Sequence, residues 1–233
     1  MNSLNMFLKK YCYLKYNNNG SEIHMINKMS NYILDNILYK DEKIDGDQRE
    51  IMLFGITRIV EDIPKYIGIL IISILLNILS EVGIVLAITL LYKTFIGGAH
   101  AGDNITCFLV STVFFIFPVM IAKYIPISQV ILNLVFILVF VQSIYTLIMI
   151  APADTQEVPI INKQKRKTLK ILGFVSLISI YIFMIFVLKN NEVVTIILLS
   201  MAGINIFATK IVYKIFKCKY SYESDEFKAY FNN

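Results

Sequence analysis

The sequence predicts an all-α integral membrane protein with about six membrane segments, the first two short and arranged as a hairpin. Three observations carry this reading. Of 233 residues, 57% are hydrophobic and 17% are charged, against about 45–50% apolar and about 25% charged in a soluble domain. The apolar excess lies in long runs after Tyr66, and the mean hydropathy is +0.65. Short polar breaks such as Lys123-Tyr124-Ile125-Pro126 and Lys189-Asn190-Asn191-Glu192 separate the runs.

Composition narrows the function classes. The formal net charge of +5 comes from clustered Lys and Arg, which read as topology signals before partner signals. No nucleic-acid partner is expected; the lipid bilayer is. Trp is absent, so Tyr66, Tyr92, Tyr124 and Tyr213 supply the aromatic residues that flank apolar runs. Cys12, Cys107 and Cys218 are far apart and odd in number, which argues against a disulfide framework or a zinc site. No metal or cofactor is expected. Met1–Lys15 has no apolar run long enough for a secretory signal core, so insertion is expected to rely on the internal spans.

Three regions are expected: an interfacial N-terminal region over 1–65, a polytopic membrane domain over 66–209 and a basic-then-acidic tail over 210–233. Asn17-Asn18-Asn19-Gly20 is a turn signal, and Ser21 is a good N-cap for an amphipathic helix over about 22–40. Asp41–Asp47 breaks that helix, and a second amphipathic helix is expected over 48–63. Residues 66–92 are long enough for one span but dip in hydropathy at Asn77, Ser80 and Glu81. Glu81 at mid-bilayer would cost about 2.5–3.5 kcal/mol. Two arms, 66–79 and 82–93, hinged near Glu81 at the far surface, avoid most of that cost. Cleaner spans follow at 105–122, 130–150, 171–188 and 193–209, with a polar loop over 151–170.

Charge then sets orientation. The 151–170 loop carries Lys163, Lys165, Arg166, Lys167 and Lys170, and the tail begins with Lys210, Lys214, Lys217 and Lys219. The positive-inside rule puts both in the cytoplasm. Counting back through the spans, the 94–104 segment is cytoplasmic too, and the hairpin leaves the N-terminus on the same side.

The polar island in that segment is Gly97-Gly98-Ala99-His100-Ala101-Gly102-Asp103-Asn104-Ile105-Thr106-Cys107. It places a base and a soft nucleophile seven residues apart at the mouth of an apolar helix. Asp103 and Asn104 are strong N-cap types. With Asn104 as cap, Cys107 is the third helical residue, where unpaired backbone N–H groups and the helix dipole favour negative charge on sulfur. His100 stands on a Gly-containing segment that can fold back toward that sulfur. Either Asp103 or Glu81 could orient the imidazole. His24 and Cys12 form no comparable pair, and Cys218 in a basic tail reads as passive or lipidated. Taken by itself, a cysteine at a helix end is more often inert and a histidine at an interface is more often only solvated.

Gly97-Gly98-Ala99-His100-Ala101, followed by Cys107 and Ser111, resembles the signature of the accessory gene regulator protein B (AgrB) family of membrane cysteine endopeptidases. Ala151-Pro152-Ala153-Asp154, followed by Pro159-Ile160 and the basic cluster, resembles a second motif of that family. The likeness covers span order and loop charge after about residue 48. Lys93 stands where the family commonly has Arg, and Gln156-Glu157-Val158 is less basic than its usual counterpart. The resemblance implies a Gram-positive bacterial cell membrane and an AgrD-type precursor of a quorum-sensing peptide as substrate. It implies Cys107 as nucleophile and His100 as base, with Lys93, Gly97, Gly98 and Ser111 in support. An acyl thioester on Cys107 would be closed by a Cys or Ser of the peptide into a thiolactone or lactone. The family's substrates have an acidic C-terminal segment, which Lys163–Lys170 could recruit. Homodimerisation is compatible with modest spans.

A reading from another class is a peptide transporter without covalent chemistry, in which Glu81, Asn133, Gln142 and Asn205 line a polar path. No internal repeat or matching pair of interrupted helices supports it.

Overall fold

The computed structural model describes residues 22–38, 46–99, 104–155, 160, 162–186, 188, 190–218 and 220. Ser21, the acidic end of the tail and Gln156–Pro159 lie outside them, as does the whole Asn17–Gly20 turn region. The described chain is helical, with no strand beyond isolated bridges. It divides into two compact units between Gly68 and Ile69.

In the first unit, α1 (Glu22–Ile33) runs on into a π-helical turn, Leu34–Leu38. Arg49, near the start of α2 (Gly46–Leu75), donates to Asn31 Oδ1 and to Asp35, each at 3.0 Å. The second amphipathic helix and the first hydrophobic arm, expected as separate pieces, are one continuous α2. Pro64 lies inside it without ending it. A proline removes one N–H but leaves the flanking turns bonded, and the apolar residues after it favour continuation.

The expected hinge near Glu81 is corrected to Leu76–Ile78. Asn77 takes φ 54, a left-handed conformation that Asn tolerates better than most residues. The chain then forms α3, an 18-residue helical run from Leu79 to Ile96 with a π-helical segment at Thr89–Lys93. At about 27 Å this second arm is long enough to cross a bilayer, where the sequence predicts a short one. Glu81 sits in its first turn, bonded by Ser80 Oγ at 2.7 Å and paired with Lys123 at 3.8 Å.

The later helices follow the apolar runs: α4 (Asn104–Tyr124), α5 (Gln129–Met149), α6 (Lys163–Phe186) and α7 (Asn191–Phe207), then a short α8 (Lys210–Ile215). Among the described residues, α3, α4, α5 and α6 are long and apolar enough to span a membrane. This is a multi-pass membrane protein. α6 begins eight residues earlier than its apolar run because Asn162 caps it, accepting from the amides of Gln164 and Lys165 at 2.8 and 3.2 Å. Eight of the twenty residues of the polar 151–170 loop are therefore helical.

α7 is the central element. It packs against α3, α4 and α5, and Val194–Leu198, Ser200, Met201, Ile204 and Asn205 are buried along it. Surrounded by protein rather than lipid, it serves with only 17 residues. Asn205 Nδ2 donates to Ser143 Oγ at 2.9 Å, and Tyr92 Oη donates to Asn205 Oδ1 at 3.0 Å. All three side chains are fully buried, so one polar lock ties α3, α5 and α7 where water cannot substitute. A second apolar cluster joins Ile69, Ile78, Val82 and Val85 to Phe115, Val119 and Ile196.

Candidate functional site

The site grows from the end of α3. The hydroxyls of Thr89 and Thr94 donate to the carbonyls of Val85 and Leu90, each at 2.7 Å, and Ser176 Oγ from α6 donates to the Leu91 carbonyl. These bonds flank and satisfy the π-helical turn, a distortion that frequently accompanies function. Lys93 leaves it with its Nζ 5.8 Å from the Phe114 ring centre and 5.9 Å from that of Phe207. Those two rings meet edge to face, and Phe216 stacks on Phe207.

Gly97 and Gly98 then turn the chain at φ 80 and φ 143, angles that glycine adopts without steric cost. A Cβ on Gly97 would overlap the Ala153 carbonyl. The turn is clamped from two sides. Ala153 N–H donates to the Ile96 carbonyl at 2.7 Å, and Gly98 N–H donates back to the Ala153 carbonyl at 2.9 Å. Ala99 N–H donates to the Phe207 carbonyl at 2.9 Å. The two motifs singled out in the sequence are thus in direct contact, and the residue before His100 is anchored to the end of α7.

His100, Ala101, Gly102 and Asp103 lie outside the described residues. Five peptide bonds connect Ala99 to Asn104, a reach of at most about 18 Å. The expected cap is shifted by one residue: Asn104 is already helical, so Cys107 is the fourth residue of α4. It remains in the first turn of α4, at the positive end of the helix dipole. Cys107 is a partly buried free thiol. Ser111 and Phe114 follow it at i+4 and i+7, the spacing of one helix face. That face carries the Phe114 ring beside Lys93 and Phe207.

Glu81 pairs with Lys123, sixteen residues along α4 from Cys107, or about 24 Å at 1.5 Å per residue. The polar residues of the transport reading are also dispersed. Asn205 is closed into the buried lock, and Asn133 bonds Gln129 at the start of α5.

The second motif has its own scaffold. Asp154 is buried and accepts from the Ile160 amide and from Arg166 Nη1, each at 2.8 Å. Arg166 Nη2 also donates to the Pro152 carbonyl at 3.3 Å, across a cis Ala151–Pro152 bond. Within the basic cluster, Arg166 is therefore committed to the loop, and Lys170 Nζ donates to the Ile148 carbonyl at 2.6 Å. Lys163, Lys165 and Lys167 are exposed on the first turns of α6. Positive charge there opposes the helix dipole, so helix stability does not account for it. Among the described residues no group of His, Cys, Asp and Glu is arranged to hold a metal ion.

The sequence reading missed Phe207, Phe114, Tyr213 and Tyr220. Tyr213 Oη donates to the Ala153 carbonyl at 2.9 Å and Tyr220 Oη donates to the Ala208 carbonyl at 2.6 Å. Their only sequence signal is aromatic placement around an apolar run.

The chain is similar to known proteins over most of its length. Residues 26–209 match the family described as Accessory gene regulator B. An AgrB-like protein of Clostridium perfringens strain SM101 is 27% identical over 162 residues, 68% of this chain and 75% of that one. A second, from C. perfringens strain 13, is 25% identical over 77% of this chain and 81% of its own length. One from Listeria welshimeri is 25% identical over 85% of this chain and 96% of its own. No solved structure matches. The helical membrane fold, the contact between the two motifs and the extent of the match lead to one statement of identity: the chain belongs to the accessory gene regulator B family.

Proposed function

We propose that this chain is a membrane-embedded cysteine endopeptidase that removes the C-terminal part of an AgrD-type peptide precursor and leaves the remainder as an acyl thioester on Cys107. Family membership supports a role in the agr quorum-sensing system. The observation that carries the finer reading is the clamped turn. Gly98 is bonded to Ala153 and Ala99 to Phe207, while Phe207 packs on Phe114, which shares a helix face with Cys107. This shared anchor, Phe207, supports a role for the turn that leads into His100 beside the Cys107 face of α4.

In the proposed reaction His100 takes the Cys107 proton as sulfur attacks the scissile carbonyl. Backbone N–H groups at the start of α4 are the natural donors to the oxyanion. Collapse breaks the C–N bond, and His100 returns the proton to the departing amine. A Cys or Ser inside the bound peptide then attacks the thioester, releases the Cys107 sulfur and closes a thiolactone or lactone. Water competes with that ring closure, and the Phe114, Phe207 and Phe216 cluster beside the site supports its exclusion. By the positive-inside rule the basic start of α6 and the glycine turn face the cytoplasm, where Lys163, Lys165 and Lys167 would meet an acidic precursor tail.

The test uses the full chain in lipid vesicles with an AgrD-type precursor labelled at its C-terminus. Cys107→Ala and His100→Ala are expected to abolish release of the label. Release that survives either substitution would sink the mechanism. Movement of uncleaved peptide across the vesicle by Cys107→Ala would favour transport instead.

A further inference from the structure

Two buried tyrosines hold the two walls of the glycine turn. Tyr213 Oη donates to the Ala153 carbonyl at 2.9 Å, the same oxygen that accepts the Gly98 amide at 2.9 Å. Tyr220 Oη donates to the Ala208 carbonyl at 2.6 Å, and Ala208 directly follows Phe207, the acceptor for Ala99. The two rings stack with centres 3.8 Å apart and planes 12° apart. Tyr220 is also bridged to Thr155, two residues beyond Ala153.

Each wall therefore receives one hydroxyl, and the ring stack ties the walls to each other. Both side chains are buried, where a phenolic hydroxyl needs a partner. A pair of phenylalanines would fill nearly the same volume with no hydroxyl to satisfy, so packing alone does not call for tyrosine. Both residues lie beyond the 26–209 stretch that matches the family.

We propose that Tyr213 and Tyr220 are positioning residues for the reaction. They fix Ala153 and Ala208, and through them the amides of Gly98 and Ala99, the residues from which the chain runs on to His100. This rests on the peptidase reading above. Their effect arises because catalysis falls steeply when a reacting group is displaced by even about 1 Å.

Tyr213→Phe and Tyr220→Phe keep the stacked rings and remove one hydroxyl each. In vesicles with the labelled AgrD-type precursor, each is expected to lower kcat about tenfold with KM changed less than about twofold. The rate at which iodoacetamide alkylates Cys107 in the absence of precursor, read by mass spectrometry, should shift toward that of His100→Ala. Tyr145→Phe, on an exposed face of α5, should match the unsubstituted protein in both readouts. If Tyr213→Phe cannot be recovered folded, Tyr220→Phe decides the matter alone. The proposal is overturned if the variants keep full kcat and unchanged alkylation while Cys107→Ala is inactive. It is also overturned if the loss follows only the amount of folded protein by size exclusion, or falls on KM alone. Processing by Cys107→Ala would instead remove the peptidase reading itself.

Discussion

The amide of Gly98 donates to the carbonyl of Ala153 at 2.9 Å, and this bond joins the two motifs that stand far apart in the sequence. Its consequence is geometric. The loop that carries Asp154 and the turn that leads to His100 cannot move independently.

The turn requires glycine at position 97. Gly97 has φ 80, and a Cβ there would overlap the Ala153 carbonyl. Gly97→Ala combines left-handed backbone strain with a forced displacement of that carbonyl, at a cost of about 2 kcal/mol or more. A lowered midpoint of thermal unfolding in detergent is expected, with precursor processing reduced more than tenfold. Processing at the original rate would show that the turn is not coupled to the site.

Arg166 is expected to act through stability rather than through recruitment. Asp154 is 2% exposed and Arg166 is 23% exposed at the side chain. Removing the guanidinium takes a cation away from a buried carboxylate, which costs about 3 kcal/mol. Arg166→Ala should lower the unfolding midpoint, and Arg166→Lys should restore it only in part because one ammonium cannot reach both Asp154 and the Pro152 carbonyl. Equal midpoints for Arg166→Ala and the parent would remove the pair from the scaffold.

Lys165 and Lys167 make the opposite prediction. They are exposed on the first turns of α6, so Lys165→Gln with Lys167→Gln should leave the unfolding midpoint in place. If they recruit an acidic tail, KM for the precursor rises about threefold at low salt, and the difference shrinks near 1 M salt where screening reaches about 3 Å. A KM that ignores both substitution and salt would leave these lysines as topology signals alone.

The buried lock should be the most sensitive polar feature of the membrane domain. Asn205→Leu leaves Tyr92 Oη and Ser143 Oγ without their shared partner, a cost of about 1–3 kcal/mol for the stranded groups. Asn205→Leu with Tyr92→Phe and Ser143→Ala should recover part of that loss, because no polar group then remains to be satisfied. Thermal unfolding of the single and triple variants in the same detergent checks the order. A triple variant less stable than Asn205→Leu would contradict the account.

Much of the helical layout was legible because long apolar runs leave few alternatives in a bilayer. α4, α5 and α7 begin and end within about two residues of the expected spans. The errors have local causes. The expected break between the 48–63 helix and the 66–79 arm falls at Pro64, which an otherwise bonded helix absorbs. Asn77 made the hinge by adopting a left-handed conformation that hydropathy does not register, and Asn162 started α6 inside a loop. Cys107 and the glycine turn stood out as polar residues in an apolar setting. Phe207, Tyr213 and Tyr220 did not, because their roles come from carbonyls and hydroxyls brought together by the tertiary fold.

The central claim is that Cys107 carries the acyl group. The most direct measurement is the intact mass of the chain after mixing with an AgrD-type precursor whose internal Cys or Ser has been replaced by Ala, so that ring closure is blocked. The account predicts an adduct equal to the N-terminal part of the precursor, located on Cys107, released by hydroxylamine and missing in Cys107→Ala. Release of the precursor tail without such an adduct, or an adduct at Cys12 or Cys218, would contradict it.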